Sequence, residues 1–175
     1  MKIIAVAAVT AGGKTTLINK TRERLPGAQS LHFDDYTFEG EVEDFRQWVL
    51  NGADYNVWNL APLEEDILKI CAAGNCEVLL LDYPFAYLND RIAPYIDRAV
   101  FLDTPLDIAL CRRVLRDMAD ASGDEIREGM EFYMTRARLG YTQMLKDVLP
   151  SSDEVIDGTL DMEEKIEALI RIING

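Results

Sequence analysis

The stretch Ala8-Val9-Thr10-Ala11-Gly12-Gly13-Lys14-Thr15 closes an apolar run that begins at Ile3 and opens a periodic segment, Lys14 to Leu25, stopped by Pro26-Gly27. It fits the spacing G-x-x-x-x-G-K-[ST] with one departure, Ala8 at the first glycine. Each residue type answers a physical need. Gly12 and Gly13 let the backbone turn its N–H groups inward around an anion, and the helix starting near Lys14 adds its positive end. Lys14 would reach the outer phosphates of a nucleoside triphosphate, and the Thr15 hydroxyl would ligate Mg2+. Ala11 and Thr16 complete the loop. A strand before the loop and a helix after it are the context this motif requires.

Outward from the loop, short apolar runs alternate with longer periodic segments, the pattern of an α/β domain with a mainly parallel sheet. Ile3 to Val9, Ser30 to Phe33, Glu77 to Leu81, Arg98 to Leu102 and Val155-Ile156 read as five strands. Helices are expected at Lys14–Leu25, Val42–Leu50, Leu63–Ala73, Leu106–Met118 and Asp161–Ile173, with one or two more around Gly140 between Asp124 and Leu149. At 175 residues, the chain fits one domain, residues 1–175, with helices on both faces of the sheet. Four strand ends deliver Lys14, Asp34, Asp82 or Asp103 to loops. In open α/β sheets ligands bind beyond the carboxyl ends of the strands, so these residues can converge.

Composition limits the partners. Eighteen Lys plus Arg against thirty-one Asp plus Glu leave a net charge of −13, which repels nucleic acid and anionic lipid headgroups. No apolar run reaches the eighteen or so residues needed to span a bilayer. The start, Met1-Lys2 and then Ile3 to Val9, reads as a buried strand rather than a secretory leader. Cys71, Cys76 and Cys111 are odd in number and lack zinc-type spacing, which predicts reduced, partly buried thiols in a cytoplasmic protein.

Asp34-Asp35 directly follows the second strand. A carboxylate there can orient an attacking hydroxyl and accept its proton, which makes Asp34 the candidate base and a further candidate Mg2+ ligand. Asp82 ends the run Val78-Leu79-Leu80-Leu81, as a metal-facing acid would. Arg112, Arg113 and Arg116 share one helix face, where they could stabilise charge on a transferring phosphoryl group or simply pair with Asp117 and Asp120 in solvent. Asp35, Tyr36, Phe38, Tyr55, Asn56 and Trp58 could form an acceptor pocket of aromatic faces and polar groups. Glu39, Glu41, Glu43 and Asp44 read as a solvated loop leading into a helix, and His32 as a structural residue.

With these residues assembled, the chain resembles the uridine kinase and nicotinamide riboside kinase group of P-loop kinases. Ala8 to Leu17 (AVTAGGKTTL) is similar to that group's phosphate loop, and Leu31 to Phe38 (LHFDDYTF) to its strand followed by two acids and aromatics. Tyr55-Asn56-Val57, Val78 to Phe85, Val100 to Arg116 and Val155 to Thr159 (VIDGT) resemble its substrate segment, second acid strand, lid-arginine helix and late base-contacting loop. The resemblance implies a P-loop NTPase fold, Asp34 as base for a primary hydroxyl, and Tyr55 stacked on the acceptor's base. Two positions depart from the group: its ribose-contacting acid falls on Asn56, and its Glu-Gly pair is here Asp82-Tyr83, whose bulky ring would narrow the space beside the metal.

The expected activity is ATP- and Mg2+-dependent phosphoryl transfer to a hydroxyl of a small metabolite, with a nucleoside among the acceptors. A kinase for a nucleotide or other phosphorylated metabolite, and a nucleotide-binding switch or NTPase, are the alternatives.

Overall fold

The computed structural model describes all 175 residues, Met1 to Gly175. Five strands form one sheet: β1 (Lys2–Ala7), β2 (Ala28–His32), β3 (Val78–Asp82), β4 (Arg98–Asp103) and β5 (Glu154–Asp157). Their order is β2-β3-β1-β4-β5, and all four ladders are parallel. β1 is therefore central, with its C-terminal end opening at the middle of the sheet. β3 pairs Asp82 with Val6 on one side and with His32 on the other. Beyond the β3 end, Tyr83 is fully buried among Phe33 and Phe85 and lies outside the cavity described below, so the expected narrowing does not occur.

Seven α-helices cover the sheet: α1 (Lys14–Arg24), α2 (Phe45–Leu50), α3 (Ala61–Ala73), α4 (Leu106–Asp117), α5 (Gly123–Phe132), α6 (Arg138–Ser151) and α7 (Met162–Asn174). Successive residues of a strand point to opposite faces, and β1 divides its apolar residues accordingly. Ile4 and Val6, with Ala8 just past the strand, pack with Leu17 and Ile18 of α1 and Leu169 of α7. Ile3, Ala5 and Ala7 join the other layer, with Trp48 of α2, Leu63 and Ile67 of α3, and Val148 of α6. Helices thus lie on both faces, as the alternation of segments predicts.

Three expectations shift. β1 stops at Ala7, because Ala8 and Val9, although buried, already belong to the turn. Gly140 does not interrupt its helix; α5 and α6 meet instead at a π-helical turn, Tyr133–Ala137. Gly140 lies under the Phe45 ring, where a Cβ would come within 3.3 Å of it. Only Cys76 is buried, while Cys71 and Cys111 are exposed. No helix is long and apolar enough to cross a membrane.

Candidate active site

The loop between β1 and α1 adopts the left-handed backbone region twice, at Ala11 (φ 59) and at Gly13 (φ 98), with Gly12 between them. This winding turns successive N–H groups toward one side. Gly12 has no room for a side chain, since a Cβ would lie 2.9 Å from the Val9 carbonyl oxygen and 3.0 Å from the Ala8 Cβ. Helix α1 then begins without a side-chain cap and without an acidic residue in its first turn. Its first N–H groups are therefore left for an anion.

Asp82, at the end of β3, is 3 % exposed and collects three donors. Lys14 Nζ donates to Oδ1 and Thr15 Oγ1 to Oδ2 at 2.5 Å, while His32 Nδ1 lies 3.1 Å from Oδ2. Burial lowers Lys14 to about 8, against the attraction of Asp34, which works to raise it. At neutral pH the ammonium therefore still carries its charge. Burial is also the main cause that lowers His32, with Asp35 working against it and Lys14 adding to it.

The three arginines of α4 reach the same region. Arg112 Nη1 is 3.4 Å from the Gly12 carbonyl oxygen, Arg113 Nη1 donates to the Tyr141 hydroxyl at 2.9 Å, and Arg116 makes two hydrogen bonds to Asp117. All three arginines line the cavity, and Arg113 and Arg116 also pair with Asp117, as expected of a solvated face, while none pairs with Asp120. Thr104 supports the loop from below, its hydroxyl donating to the Gly12 carbonyl at 2.8 Å. Gly158 in turn packs on Thr104, and a Cβ there would fall 2.7 Å from the Thr104 Cα.

A cavity of about 630 Å3 runs from this loop across the ends of the strands. It is lined by Ala8 to Thr16, by Arg112, Arg113 and Arg116, and by Asp34, Phe33, Trp48, Tyr55, Trp58 and Phe85. Of the residues expected to hold an acceptor, Tyr55 and Trp58 thus line it, whereas Asp35, Tyr36, Phe38 and Asn56 do not. Each has another engagement or direction. Tyr36 donates its hydroxyl to Asp66 at 3.0 Å, Phe38 is buried against Phe33 and Tyr36, and Asn56 Oδ1 accepts the Asp90 N–H at 2.8 Å. Asp35 follows Asp34 on a short 3-10 turn and lies outside the wall.

Other wall residues escape a sequence reading. Glu41 and Glu43 are exposed, as expected, and in addition border the cavity, while Asp44 caps α2. Ala137, Gly140, Tyr141 and Met144 present one face of α6 and its preceding turn to it. Their spacing of three, one and three residues is a helical stripe, a signal present in the sequence but indistinguishable there from an ordinary core face.

No protein-family model matches the chain. The uridine kinase of Borrelia hermsii is 25% identical over 178 residues, covering 89% of this chain and 86% of that protein. The chain is similar to uridine kinases along most of its length. Among solved structures, deoxyadenosine kinase from M. mycoides with bound dATP superposes with a TM-score of 0.53 at 17% identity, over 100% of both chains. Shikimate kinase from Bacteroides thetaiotaomicron does so with a TM-score of 0.55 at 14% identity, over 99% of both. The fold is that of the P-loop kinases.

On this P-loop kinase fold, the donor set suits a hard divalent cation. Thr15 Oγ1 and the Asp82 carboxylate are adjacent oxygens, and no cluster of three or more His, Cys, Asp or Glu side chains is present to complete a cage. Mg2+ is commonly held in this way, by one or two protein oxygens with waters and substrate phosphates filling the other positions.

Proposed function

We propose that the protein transfers the γ-phosphoryl group of ATP to a hydroxyl of a small metabolite, with a nucleoside as the first acceptor to test. The observation that carries this reading is the single cavity joining the uncapped start of α1 to Asp34 and an aromatic wall. The phosphates would lie on the N–H groups of Ala11 to Thr16, with Lys14 at their outer end. Thr15 and Asp82 would hold Mg2+, which neutralises charge on the phosphate oxygens. Asp34 accepts the proton of the acceptor hydroxyl as its oxygen forms the new bond to phosphorus and the bond to the departing ADP breaks. Lys14, Arg112, Arg113 and Arg116 offset negative charge on the transferring group.

The acceptor would rest against Tyr55 and Trp58, with Phe33, Trp48 and Phe85 completing the planar slot. Both signs of charge line the cavity, Lys14 and the three arginines beside Asp34, Glu41 and Glu43, and Asp34 is near enough to Lys14 and Arg116 to act on both. An aromatic slot beside the phosphate loop would have no task in a plain hydrolytic switch.

The test is ADP release with ATP and Mg2+, measured with and without nucleosides, nucleotides and other small alcohols. Stimulation by an unphosphorylated alcohol, with that compound gaining a phosphate, is expected. Turnover that no acceptor stimulates overturns the kinase reading. Asp34→Asn should lower turnover about 100-fold or more while nucleotide affinity stays within a few-fold, and Lys14→Ala should weaken both.

A further inference from the structure

Three side chains donate to Asp82, and they come from two elements. Lys14 and Thr15 belong to α1, and under the proposed function both turn to the nucleotide: the ammonium to the outer phosphates, the hydroxyl to the metal. The third donor does neither. His32 stands on β2 directly opposite Asp82 in the parallel ladder, with Nδ1 3.1 Å from Oδ2, and phosphoryl transfer as proposed above makes no use of it.

The ring is itself held. A carboxylate only accepts hydrogen bonds, so the imidazole hydrogen facing Asp82 is on Nδ1, and Nε2 of the neutral ring is then an acceptor. Ser30 supplies the matching donor: its Oγ lies 3.1 Å from Nε2, two residues earlier on the same face of β2. Ser30, His32 and Asp82 thus form a chain in which each hydrogen-bonding direction is determined by the next. The chain rests on two paired strands, in contrast to the two donors that leave from α1.

We infer that His32, oriented by Ser30, is a positioning residue that keeps the Asp82 carboxylate aimed at the metal and phosphate site once Lys14 and Thr15 have turned to the nucleotide. Without it, the carboxylate would lose all three donors on nucleotide binding and would be free to rotate. A group that orients a metal-binding carboxylate affects the affinity for the metal while leaving the anion cradle intact. The inference rests on the ATP and Mg2+ reading above.

The experiment compares the dissociation constant of ATP, by titration calorimetry, with Mg2+ and with EDTA, in the wild-type chain, His32→Leu and His32→Asn. The Asn side chain keeps an N–H near the place of Nδ1; Leu keeps the bulk and loses the donor. His32→Leu should lose about tenfold of the Mg2+-dependent gain in ATP affinity, with metal-free affinity and Tm unchanged, and His32→Asn should restore most of it. If His32→Leu fails to fold, Ser30→Ala, which releases the ring, takes its place with the same expected loss. Retention of the full Mg2+ gain in the donor-free chain overturns the inference and leaves the kinase reading standing. Equal losses in Tm and in both affinities, whichever side chain replaces His32, overturn it in favour of a purely structural histidine. A wild-type chain that gains nothing from Mg2+ overturns the metal part of the proposed function, and this inference with it.

Discussion

Lys14 is a cation held largely out of water, and that has a consequence for pH. Burial lowers it to about 8 in the free protein, with Asp34 pulling the other way. A bound polyphosphate favours the charged form and raises the value again. The sign follows: below about pH 8 the free and bound proteins both carry the proton, so affinity is flat. Above it, the free protein has lost a proton that the complex retains, and affinity falls by up to about tenfold per pH unit. Calorimetry of ATP binding in buffers of different ionisation enthalpy should record proton uptake near pH 8 to 9, and none near pH 6 that depends on Lys14. Binding that stays constant well above pH 8, without proton uptake, would count against Lys14 as the phosphate-facing cation.

Among the elements, the turn between β5 and α7 bears on the phosphate loop without touching a ligand. Gly158 accepts Lys165 Nζ on its carbonyl at 3.3 Å and donates its N–H to the Asp103 carbonyl at 2.8 Å, and it packs against Thr104, whose hydroxyl holds Gly12. In Gly158→Ala, the new Cβ would lie 2.7 Å from the Thr104 Cα and 2.8 Å from the Asp103 oxygen, so the turn must move. A loss of about 2 kcal/mol in urea unfolding is expected, together with weaker ATP binding as Thr104 withdraws from Gly12. Unchanged stability and affinity would show that the turn yields without passing its displacement to the loop. At this scale much could be read from the sequence. Strands buried on both faces are near-continuous apolar runs, so Val78 to Leu81 announced β3, and the loop from Ala8 to Thr15 announced its own strand and helix. What stayed hidden depends on partners distant in sequence. Nothing local to Asn56 says that it will accept from Asp90, nor to Tyr36 that its hydroxyl will reach Asp66 on α3. The same holds for Glu41 and Glu43, whose place in the cavity wall is set by how the segment before α2 crosses the strand ends. The π-helical turn at Tyr133–Ala137 carries no proline or glycine to mark it.

For the whole molecule, the net charge of −13 coexists with four cations lining one cavity. The remaining surface repels itself. Its exposed ion pairs, such as Arg24 with Glu163 and Arg127 with Asp124, offset little of this, because solvated pairs contribute little net stability. Screening should therefore help: raising KCl from low to moderate concentration is expected to raise Tm by about 3 °C. A fall in Tm on scanning calorimetry would mean that surface pairing outweighs self-repulsion. One arrangement also makes the molecule informative about its own occupancy. The chain has two tryptophans, and both indoles, Trp48 and Trp58, stand edge to face in the cavity wall, with ring centroids 5.5 Å apart. All of its indole fluorescence therefore originates in the wall of this cavity. A compound that comes to rest against these rings is expected to alter the colour or brightness of the emission. The unmodified protein thus carries its own optical probe of whether that wall is covered.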